Sequence, residues 1–317
     1  LSKNFKINEV GVIKTEYTDK DNLNNQLFIK KYDKDYKITG DNFNLDRIIS
    51  ELLKIKNNNN DIFNKNFEIF FDIKTVYFDK MTFTNNLKGS LFVDNNNITK
   101  LNLESEFPDK KKIRFIIKTL ENNVKITTLF SHEAKPFVKR YKFIKGFEEG
   151  NLDFYSIKKN DVTNSTLKID NFKIQEIPAL AKILTLASLQ GIADLLTGEG
   201  IRFTDFEMKF SNKGQLMTIE ELYAIGPAIS ILMEGYIQST ELISLRGTLV
   251  PATTINRTIS SIPLIGDILV GKKVGEGVFG VSFKIKGSPK NLETSVNPIK
   301  TLTPRFITRT LEKIKKN

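Results

Sequence analysis

Gly275, Gly277 and Gly280, in GEGVFGVS, stand at the spacing of a loop that cradles nucleotide phosphates, G-x-G-x-x-G-x-V, with Ser282 in place of the final valine. The chemistry would be phosphoryl transfer. It requires a lysine on a following strand, an acidic base in an H-R-D loop and a D-F-G metal ligand, all downstream of the glycines. Neither motif follows Gly280. The single histidine, His132, lies far upstream in SHEAK, and DFE at 205–207 also precedes the glycines. The other common phosphate cradle, GxxxxGK[ST], is missing too, GKKVGEG being the nearest stretch.

Other chemistry fares no better. One histidine leaves most triads and metal clusters short of a member, and His132 between Ser131 and Glu133 reads as an exposed turn residue. The chain has no cysteine, which removes disulfides, thiolate nucleophiles and sulfur-ligated zinc. Glu148–Glu149 and Glu220–Glu221 are carboxylate pairs in sequence, but nothing sets a partner across a cleft from them. No catalytic constellation, cofactor site or metal site emerges, and the expectation is a non-enzymatic protein. The net charge of +11 comes from 48 Lys and Arg against 37 Asp and Glu. These basic residues are spread along the chain rather than striped with aromatics, as expected where Lys, Asn and Ile are all over-used, so no nucleic-acid partner is expected.

Most of the chain alternates apolar and polar residues with period two, which gives a strand one apolar face and one wet face. In NFEIFFDIKTVYF the apolar set is Phe67, Ile69, Phe71 and Ile73, opposed by Glu68, Asp72 and Lys74. KIRFIIKT contributes Ile113, Phe115 and Ile117, and VKITTLF contributes Val124, Ile126, Thr128 and Phe130. Further on, Ile229, Ile231 and Met233 oppose Ser230 and Glu234. Ile243, Leu245 and Leu249 oppose Ser244, Arg246 and Thr248, and Phe279, Val281, Phe283 and Ile285 oppose Ser282 and Lys284. Strands buried on both faces would read as continuous apolar runs, so these predict a mainly β, antiparallel sheet joined by Asn-, Gly- and Asp-rich turns. Alternation alone fits a closed sandwich and an open groove equally.

A few segments have helical spacing: DRIISELLKIK (46–56), PALAKILTLASLQGIADLL (178–196), SIPLIGDILVG (261–271) and the basic tail PRFITRTLEKIKK (304–316). The second carries few polar residues and needs covering, with Pro178 at its first turn and Gly198 just beyond its end. Composition shifts near residue 175, from Asn, Lys and Phe to Gly, Pro and aliphatics, which predicts a 1–175 segment and a 176–317 region. No apolar run reaches the roughly 18 residues of a membrane span and no signal peptide is visible. The chain begins at Leu1, and an anchoring segment upstream is expected.

From about 178 to 304 the sequence resembles the C-terminal region of the AsmA-like bacterial envelope proteins, of the YhdP type. The matching pieces, in order, are LLTGEGIRF (195–203), GQLMTIEELYAIGPAISILMEGYI (214–237), LISLRGTLVPATTIN (242–256) and SSIPLIGDILVGKKVGEGVFGVSFKIKGSPKNLETSVNPIKTLTP (260–304). The order of IPLIGDIL, a Gly-rich step, a strand, KGSP and VNP is the specific part, and the N-terminal half fits by character only. The resemblance implies an elongated antiparallel sheet curled into an open apolar groove, in a periplasmic protein anchored to the inner membrane by an N-terminal segment. It implies phospholipid transport towards the outer membrane, with a structural role in envelope assembly through protein partners as the alternative. The groove lining would be Phe67, Ile69, Phe71, Ile73, Phe115, Ile117, Ile229, Ile231, Met233, Leu245, Leu249, Phe279, Val281 and Phe283. Leu180, Ile183, Leu184, Ile192, Leu195, Phe306, Arg309 and Lys313 would cap the groove or touch a membrane.

Overall fold

The computed structural model describes residues 11–46, 66–94, 97–140, 144–239, 241–251, 280–289 and 291–299. The helical spacings at 261–271 and 304–316, all of 46–56 beyond Asp46, and Gly275, Gly277, Phe279, Phe306, Arg309 and Lys313 lie outside these residues. The protein is mainly β. Among the described residues sixteen strands, β1 to β16, are ordered in the sheet as they are in the chain, and the order is linear, so the sheet is open. Pairing is mostly antiparallel, with one parallel pair among the described registers. The chain divides into two units, 1–140 with 152–161, and 141–151 with 162–317. The composition shift near 175 coincides with the end of β10 at Ile174, inside the second unit.

The first unit holds β1 (Val12–Thr18), β2 (Asn24–Tyr32), β3 (Asp35–Asn44), β4 (Phe67–Tyr77), β5 (Phe83–Asp94), β6 (Asn97–Glu106), β7 (Lys112–Thr119), β8 (Lys125–Ser131) and most of β9 (Glu148–Lys159). β3 and β4 are the parallel pair, which the alternation did not reveal. A parallel pair needs a long crossover, and 45–66 separates the two strands. Register slips by one residue between β2 and β3 at Gln26/Leu27, and again between β5 and β6 around Asn86, whose φ is 57°. The inserted residues are bulges, which bend a strand and change the side a residue faces. Ile73 and Val76, three apart, therefore share one buried cluster with Leu87. A short helix, α1 (Lys135–Val138), brings Phe137 edge-on to Phe78 beside Phe107 and Ile113. Just beyond it, Arg140 ties three segments together. Its guanidinium donates to Asp46 Oδ1 (2.8 Å), the Phe78 carbonyl (2.9 Å) and the Pro136 carbonyl (3.2 Å).

The second unit holds β10 (Val162–Ile174), α2 (Pro178–Leu186), α3 (Gln190–Thr197), β11 (Ile201–Lys213), β12 (Leu216–Ile225), β13 (Ile229–Gln238), β14 (Leu242–Pro251), β15 (Gly280–Ser288) and β16 (Asn291–Ile299). The single helix expected over 178–196 is broken into two. Ser188 adopts φ 58°, left-handed backbone that an α-helix cannot continue through, and α3 starts afresh at Gln190. Leu180, Ile183, Leu184, Ala193 and Leu196 turn inward and are buried. α2, which follows β10 directly, lies against β16. Six strand spacings separate those two strands, about 29 Å along a flat sheet, while a nine-residue helix is about 14 Å long. The sheet of this unit therefore curls around its helices. A glycine on the apolar face makes room for the curl: Gly235 has φ 146°, and a Cβ there would collide with the Ser244 carbonyl on the next strand.

Candidate functional site

Cross-strand register converts the strand-by-strand alternation into rows that run across the sheet. In the first unit one row links Ile13, Ile29, Ile38, Phe71, Gly89, Leu103, Phe115, Leu129 and Phe154, each the register partner of the next, without a polar member over nine strands. A second row beside it runs Ile69, Leu91, Leu101 and Ile117, then turns polar at Thr127 and Ser156. The opposite face carries a row of alternating sign, Asp72, Lys88, Glu104 and Arg114, in which Glu104 and Arg114 form an ion pair. Opposite charges set directly across strands fix register and keep that face wet.

The second unit repeats the arrangement with three neighbouring rows. Ile169, Phe206, Ala224, Ile231, Leu249 and Val281 form the first, and Leu167, Met208, Leu222, Met233, Gly247, Phe283 and Val296 the second. The third is Phe210, Ile219, Gly235, Leu245 and Ile285, ending at Thr294. Near the helices a stack of Phe147, Phe172 and Phe203 has centroids 5.3 and 5.4 Å apart, at interplanar angles of 18° and 17°. Glu149 and Arg202 brace its margin with a bidentate pair at 2.8 and 3.1 Å. That bond holds the guanidinium proton more tightly than usual.

The expected lining residues divide by accessibility. Phe67, Ile73, Ile229, Leu249, Val281 and Phe283 are 4% exposed or less and pack as interior. The Phe283 ring lies over Gly247, where a Cβ would strike it. Ile69, Phe71, Phe115, Ile117, Ile231, Met233 and Leu245 are half-buried, so these seven are the reachable ones among the expected lining residues. Of the capping residues, Leu180, Ile183 and Leu184 are interior, Ile192 is half-buried, and Leu195 is 46% exposed. Leu180, Ile183 and Leu184 pack inside the protein, where no membrane reaches them.

One strand faces the other way from its expectation. Phe130 stands opposite Arg114 on the charged face and packs edge-on against His132, whereas Leu129 stands opposite Phe115 in the apolar row. VKITTLF has apolar residues at both parities, so alternation cannot choose between them. The turn at Leu120–Val124 sets the register, closed by the Leu120 N–H donating to the Val124 carbonyl at 2.8 Å. Ser230 also departs from its wet expectation and is fully buried, because both faces of the sheet are covered where β13 begins. Ile29, Ile38, Leu103 and Phe206 belong to the rows but were not singled out by spacing. Each has an ordinary strand neighbourhood, and only pairing with the next strand reveals its place.

His132, expected to be exposed, is half-buried just past the end of β8, and its Nδ1 accepts the Lys112 N–H at 3.1 Å. Among the described residues no three His, Asp or Glu side chains are grouped to hold a metal ion. A shallow depression of about 340 Å³ lies on the polar side of β13–β16, edged by Glu220, Glu234, Arg246 and Lys284, with Arg246 paired to Glu234 at 2.7 Å. No helix among the described residues is long and apolar enough to cross a membrane. Comparison of the chain with protein-family models, with curated proteins and with solved structures finds no match.

Proposed function

We propose that this chain carries phospholipid without catalysing a reaction, its acyl chains sliding along the apolar rows while headgroups stay in water. The supporting observation is the set of three adjacent rows in the second unit, where register aligns apolar residues across five to seven successive strands. An acyl chain laid across strands meets apolar side chains at every step of about 4.8 Å, and each CH₂ it buries is worth roughly 0.8 kcal/mol. A surface of this kind grips length rather than a particular headgroup, so it suits passive movement of many lipid species. The AsmA-like resemblance points the same way. With it come the proposals of a periplasmic location, an N-terminal inner-membrane anchor and traffic between the inner and outer membranes of a bacterial envelope.

Solvent extraction of the protein purified from bacterial membranes without detergent exchange, followed by mass spectrometry, tests this directly. Phospholipid is expected in the wild type. Ile231→Glu and Phe115→Glu, at half-buried row positions, should each lower recovery at least about tenfold, since a carboxylate beside an acyl chain costs more than the roughly 1.4 kcal/mol that a factor of ten represents. Lipid-free wild type, or unchanged recovery in folded variants, overturns the reading. A stable protein partner indifferent to both substitutions would instead favour the envelope-assembly role.

A further inference from the structure

The apolar face of the first unit changes character on β8 and β9. Three tiers of register partners follow one another on that face, Leu129 with Phe154, Thr127 with Ser156, and Lys125 with Lys158. On β4 and β5 the matching tiers are Phe71 with Gly89, Ile69 with Leu91 and Phe67 with Val93, apolar throughout. Successive tiers are two residues apart along a strand, about 7 Å. Lys125 and Thr127 are half-buried, Ser156 is buried and Lys158 is exposed. Thr119, the register partner of Lys125 on β7, has a buried Oγ1 without a hydrogen-bond partner. Like charges set directly opposite each other on neighbouring strands destabilise a sheet. Burial, and then the Lys158 charge, push the Lys125 pKa down, and neither lysine forms an ion pair among the described residues.

We propose that Lys125 and Lys158 clamp the phosphate of a phospholipid between them, with its glycerol esters over Thr127 and Ser156 and its acyl chains starting at Leu129 and Phe154. The inference rests on the reading of the chain as a phospholipid carrier and adds the place where the phosphate is held. Along both strands the order of cation, hydroxyl and apolar side chain repeats the order of phosphate, ester and acyl chain in the ligand. Ammonium groups bind phosphate oxygens through charge-assisted hydrogen bonds, and an anion between the two lysines turns their repulsion into shared attraction. The Thr119 hydroxyl gains an acceptor in the same place. Phosphate is common to all phospholipids, so the clamp reads charge without choosing a headgroup. The exposure of Lys158 leaves that headgroup in water.

Titration calorimetry of the lipid-stripped full chain tests it, with circular dichroism to establish folding. The probes are short-chain phosphatidylglycerol below its micellar concentration, diacylglycerol with the same acyl chains, and inorganic phosphate. The wild type should bind phosphatidylglycerol at least about tenfold more tightly than diacylglycerol, and Lys125→Met and Lys158→Glu should each lower that ratio about tenfold. Lys118→Glu, which makes the same kind of charge change on the opposite face beside Ile126, should leave the ratio in place. Inorganic phosphate, lacking acyl chains, should bind at least about a hundredfold more weakly than phosphatidylglycerol. Equal binding of the two lipids, a ratio indifferent to both lysine exchanges, or an equal loss in Lys118→Glu overturns the clamp and leaves the acyl-chain reading standing. Inorganic phosphate bound as tightly as phosphatidylglycerol would assign the lysines to free phosphate and overturn the lipid source. Failure of the wild type to bind either lipid overturns both readings.

Discussion

Arg140 concentrates more structural consequence than any residue that spacing brought forward. Its side chain is 10% exposed and bonds Asp46 and the main chain at Phe78 and Pro136, so it joins the end of β3, the end of β4 and α1. The neighbouring Lys139 pairs with Asp79. Burial, and then the charge of Arg140, lower its tendency to hold a proton. Arg140→Met keeps the length and apolar bulk but leaves an Asp46 carboxylate and a buried carbonyl without that partner. With Asp46 29% exposed, the loss is that of hydrogen bonds to a charged group, and urea denaturation should show a loss of about 2 kcal/mol. Nothing in the sequence marked this residue. In VKRYK it is one cation among three, and only the fold brings it beside Asp46, 94 residues away.

At the scale of strands and helices, pairing decides what alternation leaves open. The strand runs in NFEIFFDIKTVYF, KIRFIIKT, AISILMEGYI and ELISLRGTLV were legible because in each at least three successive positions of one parity are apolar while the charges within the strand fall on the other parity. VKITTLF was not, since Ile126 and Phe130 compete with Leu129 and the turn before the strand made the choice. The break at Ser188 was hidden for a related reason: helical spacing continues smoothly through ASLQG, and a single left-handed residue leaves no trace in hydropathy. GEGVFGVS is legible in part, with Gly280 opening β15 and Val281 and Phe283 facing inward. Pairing also creates one evident cost. Lys125 of β8 stands directly opposite Lys158 of β9, and burial followed by that like charge pushes the Lys125 pKa down. Lys158→Glu should replace repulsion with attraction and raise stability by roughly 0.5 kcal/mol at neutral pH, measured by thermal or urea unfolding. A lysine whose folded pKa is depressed penalises folding while it is protonated in both states. That penalty is relieved as pH rises from the folded value towards the ordinary lysine range. The advantage of the variant should accordingly shrink as pH climbs through that window.

For the molecule as a whole, strand order equal to chain order is the governing feature. Each strand bonds to its sequence neighbours, so the apolar rows are assembled by local steps even though they run across many strands. The phospholipid prediction follows from this layout, through the apolar face of the sheet. It also sets how the protein would bear a load. Tension applied between β10 and β16 acts across the strands, so each ladder opens from one end, bond after bond, instead of all bonds resisting together in shear. A tether attached at Val162 and Ile299 in an optical trap should record serial, low-force rips. Each rip should release one hairpin of about 22 residues, on the order of 70 Å of chain. A single high-force event would mean that the curled unit around α2 and α3 yields only as one cooperative body.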